Sequence, residues 1–403
     1  MKRKIIGISI VLLFLLFPIL QSIESTSTQP TSMPYQDDLF DTYFEILMKI
    51  AHKPSVAAGI IHDDELIWSH GYGYYDLENG KRTNNDILYL QASVSKTVTA
   101  TALMQLYEQG LFDLDDDVNE YLPFDLRNPN HPEDPITIKM LLSHRSSLAD
   151  DNLYWIALSY LPGDPDVEGF PYPWLEEYLT PEGDGFSSST WSQEQPGERF
   201  YYANIGFSII AYLVELLSNQ NFNEYCKQHI FQPLGMQNSS FRLRDHDLNS
   251  IAIPYEHKNG AYFRHPHYGI HILYPAITLR TSVEEFSHFL IAYMNDGMYE
   301  GVQLLDKETV DLMHTTHFSP EGTSDYGLGW VISFTTDGKK VVSHSGGYVG
   351  VLDYVTIIPE EDIAVIMFTN ELDSELQSTT IEYLGASWIR NALFLKADQL
   401  LSS

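Results

Sequence analysis

The pattern of apolar and polar positions changes character twice along this chain. Between residues 37 and 53, Phe40, Tyr43, Phe44, Leu47, Ile50 and Ala51 recur at three- and four-residue spacing, which predicts a helix with one apolar face. Two strand-like runs follow, SVAAGIIHDD and ELIWSHGYGYYD, joined by a polar turn at His62 to Asp64, the pattern of a hairpin. The middle then turns helical, over residues 94–109 (ended by Gly110), 136–144 and 204–219. Between 151 and 199 the periodicity breaks up. There Pro162, Pro165, Pro171, Pro173, Pro181, Gly183 and Gly185 punctuate Trp155, Phe170, Trp174 and Trp191. Long aromatic-rich loops of this kind wall a pocket or cover a core. Strands return in YGLGWVISF and KKVVSHSG, joined at Thr336-Asp337-Gly338, then in LDYVTIIP and IAVIMFTN. A closing helix is expected over Ser374 to Leu395. Strands at both ends with helices between them predict a mixed α/β (α+β) fold. Its antiparallel sheet would be formed by both chain ends, flanked by helices, with a mainly helical insertion at about 110–280.

Composition narrows the function. The chain has 403 residues, 23 Lys+Arg against 55 Asp+Glu, and a formal net charge of −32. That length buries an ample core without staples. Aromatic residues at 13 % exclude collagen, coiled coil and wholesale disorder. A surface this acidic repels phosphate backbones, so no nucleic-acid partner is expected. Cys226 is the single cysteine, which removes intrachain disulfides and cysteine-based metal sites. It reads as a buried bystander thiol.

The N-terminus carries Lys2, Arg3 and Lys4 ahead of an apolar run from Ile5 to Leu20. Residues 1–25 read as a secretory signal peptide or, if uncleaved, an N-terminal membrane anchor. Either places the body outside the cytoplasm, with no other membrane contact expected. Residues 26–36 read as a linker and 37–398 as the body.

Three short motifs hold the candidate chemistry. Ser93-Val94-Ser95-Lys96 stands at a strand-to-helix transition. Positions i and i+3 share a helix face, so Lys96 can reach the Ser93 hydroxyl and serve as its base. About one such match is expected by chance in a chain of this composition, so position is what favours it. Ser95 is the competing hydroxyl. Tyr202-Ala203-Asn204 precedes a helix. Tyr202 can shuttle a proton if Lys96 lowers its pKa, and Asn204 can donate to a substrate carbonyl; a core tyrosine beside a plain N-cap is the competing reading. Tyr201 is the neighbour that could be mistaken for Tyr202. His344-Ser345-Gly346-Gly347 ends a strand. Its glycines permit close backbone approach, so an N–H there can complete an oxyanion hole with that of Ser93; a strand ending in a plain turn is the alternative.

Taken together and in this order, the motifs resemble the serine β-lactamase and penicillin-binding-protein superfamily. The resemblance is to its class C β-lactamases and to D-alanyl-D-alanine carboxypeptidases and esterases with an HxG third motif. The phrases ITIKMLLSHRSSL, QPGERFYYANIGF, FQPLGM, YGLGW, HSGGYVG and MFTN extend it over roughly residues 40 to 395. The resemblance implies an acylated nucleophile at Ser93 and a proton-transfer pair in Lys96 and Tyr202. It places Asn204 on the substrate and the N–H groups of Ser93 and Gly347 in the oxyanion hole. His344 takes the position of the third motif's cation, with Ser345 supplying a hydroxyl beside Gly346. Cleavage of an amide or peptide of D-amino-acid type, or of an ester, is expected. A β-lactamase and a catalytically silent penicillin-binding-like protein are the alternatives. No cofactor and no metal are implied.

Several positions depart from the family's pattern. His344 replaces lysine, and histidine is mostly uncharged at neutral pH, which weakens capture of a substrate carboxylate. Ser147 stands where relatives commonly have glycine. Ile277 and Thr278 replace glycines in YPAITLRTS, which puts the pocket shape in question. The 151–192 stretch resembles nothing assignable and is expected to set specificity. His257, His265, His267 and His271 lack regular ligand spacing and read as a surface loop. The acidic run at 113–117 lacks the glycine and terminal glutamate of a calcium loop. Glu284 and Glu285 suit the first turn of a helix after Ser282. An α/β-hydrolase would need G-x-S-x-G, which is missing.

Overall fold

The computed structural model describes residues 35–150, 161–163, 174–319, 324–372 and 381–402. The leader and most of the linker lie outside them. Helix α1 spans Tyr35–Ile50 and so begins inside the segment read as linker. The chain divides between Tyr43 and Phe44 into a short first unit and the body described below.

In the body, β1 (Ser55–His62) and β2 (Glu65–Asp76) form the predicted hairpin. Asp63 and Asp64 turn it with φ of 50° and 59°, the left-handed geometry that matches strand twist in a two-residue loop. A short β3 (Lys81–Arg82) adds an edge. Strand β1 reads Val-Ala-Ala-Gly-Ile-Ile without alternation and is buried along nearly its whole length, as a strand covered on both faces must be.

The helical middle is built on α2 (Ser95–Glu108), α3 (Asn204–Ser218) and α4 (Val283–Met294). Helices α2 and α3 pack together, and their residues Val98, Leu103, Ile209 and Leu213 are buried in the same core. Buried Thr97 and Thr101 on α2 donate back to the carbonyls of Val94 and Thr97. Helix α4 starts after Ser282 with Glu284 and Glu285 in its first turn, as expected, and Ser282 caps it by accepting from Glu285 N, while the Glu285 carboxylate holds Asn238 and Ser239.

From the C-terminal third come β4 (Ser324–Tyr326), β5 (Val331–Phe334), β6 (Lys340–Tyr348), β7 (Val351–Ile358) and β8 (Ile363–Thr369). Helix α5 is described over Ile381–Ser402 and runs past the expected end at Leu395; its expected start at Ser374 falls in 373–380, outside the described residues. The eight strands make one antiparallel sheet in the order β4-β5-β6-β7-β8-β1-β2-β3. Both chain ends therefore meet at the β8–β1 pair, with Gly59 opposite Ile366. Gly59 also lets α4 cross closely, since a Cβ there would fall 2.7 Å from Val283 Cγ1.

Two local readings change. The helix expected over 136–144 is only Ile138–Leu142, and His144 beyond it takes a φ of 57°. The histidine-rich segment contains a hairpin, Tyr255–Lys258 with Ala261–Arg264, turned at Asn259-Gly260. His257 stacks on His52 at 3.7 Å, and His265 lies 3.0 Å from Glu256. Cys226 is buried, and burial pushes its thiol well up. In the acidic run, Asp115 and Asp117 pair with Lys139 and Arg127. Among the described residues no helix is long and apolar enough to cross a membrane.

Candidate active site

Ser93 occupies a single 3-10 turn, Ala92–Val94, that runs into α2. Ala92, just before it, has a φ of 43°, a left-handed conformation costly for a residue with a Cβ. Strand β6 crosses this turn at close range. A Cβ on Gly346 would lie 2.2 Å from the Gln91 carbonyl and 3.0 Å from Ser93 N. The glycine is thus required by the approach of the strand to the serine's own turn.

Lys96, one helical turn on, is fully buried. Its Nζ lies 3.0 Å from Ser93 Oγ, 2.7 Å from Asn204 Oδ1 and 3.0 Å from the Ala276 carbonyl. Burial pushes its pKa down to about 7, and the nearby Asp150 carboxylate opposes that shift without cancelling it. The three neighbours are informative as a set. Asn204 Oδ1 and the Ala276 carbonyl can only accept. A neutral amine has two hydrogens and one lone pair, so giving both hydrogens to those acceptors leaves the lone pair for the Ser93 hydroxyl.

Tyr202 is 38 % exposed as a residue, while its hydroxyl bonds to Ser93 in the buried part of the site. Its phenol is raised above the ordinary value, first by burial and then by Asp150. This corrects the expectation that Lys96 lowers it: burial dominates, and the nearby Asp150 carboxylate adds to it. Tyr201 instead donates to Glu194, at 2.6 Å, and Ser95 Oγ accepts from Leu279 N. Neither competitor reaches the site.

Asn204 is not the cap of α3. Ala203 holds the N-cap position without a side-chain bond. The Asp150 carboxylate accepts from Asn204 N at 2.8 Å, from Asn204 Nδ2 at 2.6 Å and from Ile205 N at 3.5 Å. The Asn204 side chain is thereby free to face Lys96.

His344 is buried, with Nδ1 2.8 Å from the Ser345 carbonyl and Nε2 2.6 Å from Tyr326 Oη. A carbonyl cannot donate, so Nδ1 carries the hydrogen and Nε2 accepts from Tyr326. Burial and the Lys96 charge push the imidazole down to about 3, so it is neutral at physiological pH. The third motif's cation position therefore holds an uncharged ring turned to Tyr326. Ser345 and Gly347 lie on the exposed side of β6, and Gly346 on the buried side. Pairing with β5 stops at Ser343, so that neighbour does not cover the edge from His344 to Tyr348.

His144 packs the motifs together. Its ring lies 4.2 Å from that of Tyr202 and 4.6 Å, edge-on, from that of Tyr326. Its Nδ1 accepts from Ala203 N at 3.1 Å. The departures also find places. Ser147 has a φ of 63°, a geometry that favours glycine, and its hydroxyl accepts from buried Asn128. Ile277 and Thr278 follow Ala276, whose carbonyl bonds Lys96, so this segment does border the site.

Ser93, Lys96, Tyr202 and Asn204 are thus brought into direct contact, and the backbone of Gly346 is brought against Ser93. Asp150, His144 and Tyr326 were not singled out from the sequence. Tyr326 stands in the phrase YGLGW and His144 in ITIKMLLSHRSSL; Asp150 has no such signal.

A protein-family model described as Beta-lactamase matches residues 40–385. Protein flp of Staphylococcus aureus (strain MW2) is 22 % identical over 371 residues, which covers 90 % of this chain and 68 % of that protein. Among solved structures, the octameric penicillin-binding protein homologue from Pyrococcus abyssi is 26 % identical with a TM-score of 0.71, covering 89 % of this chain and 78 % of that one. D-amino acid amidase from Ochrobactrum anthropi SV3 is 18 % identical with a TM-score of 0.69, covering 89 % and 99 %, a likeness of fold.

Proposed function

The chain belongs to the beta-lactamase family, and from that premise we propose that it is a serine hydrolase working through an acyl-enzyme on Ser93. The observation that carries this is the setting of Lys96: a buried amine with a pKa near 7 and one neighbour able to give it a proton. In the first step Ser93 Oγ bonds to the substrate carbonyl carbon as its proton passes to Lys96 Nζ. The carbonyl oxygen, now negative, is held by the N–H groups of Ser93 and Gly347. Tyr202 keeps its own proton at neutral pH, so it serves as a relay. It donates to the leaving nitrogen or oxygen while the Lys96 ammonium resupplies it. Water then attacks the ester as Lys96 takes its proton, and the Ser93 Oγ–acyl bond breaks as Lys96 returns that proton to Ser93 Oγ, releasing the acid. The second Asn204 Nδ2 hydrogen, not taken by Asp150, is available for a substrate carbonyl.

The preferred substrate is an amide or peptide of D-amino-acid type, then an ester, then a β-lactam. A neutral His344 offers no cation to a substrate carboxylate, and a net charge of −32 disfavours anions in general. The basic residues ahead of the apolar leader support an extracytoplasmic body.

A panel of p-nitrophenyl esters, D-amino-acid anilides and a chromogenic cephalosporin tests this. Turnover of an ester or anilide that disappears in Ser93→Ala is expected. Faster turnover of the cephalosporin would reverse the substrate order. No turnover of any member by folded protein would favour the silent, penicillin-binding-like alternative.

A further inference from the structure

Lys96 meets groups from every element around it. Ser93 lies on its own turn, and Tyr202 and Asn204 lie at the start of α3. The Ala276 carbonyl comes from the 274–277 turn, His144 and Asp150 from the segment after Ile138–Leu142, and His344 from β6. Both histidines are held neutral by burial, and the Tyr202 phenol keeps its proton. Among the described residues around Lys96, Asp150 is therefore the one carboxylate; burial raises its pKa, while the hydrogen bonds from Asn204 and Ile205 and the Lys96 charge favour its ionised form. It touches Lys96 only through Asn204, whose N and Nδ2 it binds and whose Oδ1 faces Nζ at 2.7 Å.

Resting on the hydrolase reading, we propose that Asp150 is the positioning residue of this site: it locks Asn204 with Oδ1 toward Lys96 and provides the counter-charge for the ammonium formed when Ser93 is deprotonated. Attack moves one proton from Ser93 Oγ to Lys96 Nζ and one electron pair from the C=O bond to the carbonyl oxygen. A positive charge thus appears on Lys96 where none stood before, and a fixed anion nearby stabilises that state more than the neutral one. A direct Lys–Asp contact would hold the proton permanently. The interposed amide keeps the anion close enough to matter and leaves the amine able to accept.

A carboxylate that merely capped α3 would leave the lysine untouched when replaced. The distinguishing readout is the Lys96 protonation midpoint, followed by NMR of the full chain labelled with ¹³C-lysine, with the Cε signal assigned by Lys96→Arg. The sign follows from charge: Asp150 favours the ammonium, so its neutralisation lowers the midpoint. In Asp150→Asn the midpoint falls by about one pH unit or more. The acid limb of kcat/KM on p-nitrophenyl acetate moves down with it, while the plateau drops at least about tenfold. Asp150→Glu keeps the charge and stays nearer the wild-type midpoint. If Asp150→Asn does not fold, Asp150→Ser removes the charge, keeps a capping hydroxyl and carries the same expectation. An unmoved midpoint in either folded, uncharged variant overturns the proposal. A lowered midpoint in a protein whose wild type turns over no member of the ester, anilide and cephalosporin panel supports the Asp150–Lys96 linkage and sinks the hydrolase reading instead.

Discussion

Two of the buried lysines in this molecule stand in opposite settings. Lys53, just ahead of β1, donates to the Glu371 carboxylate at 2.8 Å and to the Glu371 carbonyl at 2.7 Å. Beside it, Ser55 N donates to Asn370 Oδ1 at 3.0 Å. This pair ties the start of the sheet to the residues after β8, where the two chain ends meet. Lys96 is as deeply buried, but its three partners are uncharged oxygens, and its carboxylate stands one residue further out. A charge met directly by its counter-ion is a structural clamp. A charge met through an amide is only partly compensated, so burial is free to push the amine toward neutrality. The difference between a staple and a base here is one interposed asparagine.

The comparison breaks if the two lysines behave alike. Replacing Lys96 by Met is expected to lower kcat at least about a hundredfold by loss of the general base. Thermal stability should hold or rise, because a poorly paired buried amine gives way to an apolar chain. Lys53→Met should do the reverse. Removing the cation that faces the buried Glu371 carboxylate costs about 3–5 kcal/mol, while kcat per folded molecule stays within about twofold of wild type. Urea melts read beside ester turnover check both. Similar losses of activity in the two variants would show that burial alone, and not the partner, decides the role.

Smaller effects sharpen the picture on the β6 side. Gly346→Ala would place a Cβ 2.2 Å from the Gln91 carbonyl. It should cost about 1–3 kcal/mol by overpacking and depress kcat more than KM, since the strand backs away from the Ser93 N–H. Unchanged kcat would argue that the oxyanion is held elsewhere. Tyr326→Phe removes the donor to His344 Nε2. The buried nitrogen is left unsatisfied, worth about 1–3 kcal/mol, and a few-fold loss of activity at most is expected, because His344 is already neutral. A large loss would mean that the ring carries a proton in the reaction.

How much of this the sequence reveals depends on how local the cause is. The β1–β2 and β5–β6 hairpins were legible because strand runs and their turn residues sit side by side. Ser93 and Lys96 were legible because three residues on a helix fix their meeting. The hairpin at Asn259-Gly260 has an equally local cause in its turn pair, but its strands are only four residues each and carry histidines and charges that blur the alternation. Asp150 was not readable. It stands 54 positions from Asn204, and its role exists only because the fold brings it to the start of α3. The direction of the Tyr202 shift failed for the same reason. Burial, which lifts the phenol, is supplied by distant elements that no spacing records, whereas the lysine expected to lower it was in plain view.

The central claim is that a neutral, buried Lys96 activates Ser93. Its most direct test is labelling with a fluorophosphonate probe across pH, with the adduct mapped by peptide mass spectrometry. Lys96 has its pKa lowered to about 7, so the base form is lost as pH falls through that value. A single adduct on Ser93, formed at a rate that rises with pH through a midpoint near 7 and vanishes in Lys96→Met, is the predicted result. A folded protein that takes no label, or takes it on another residue, would contradict the account.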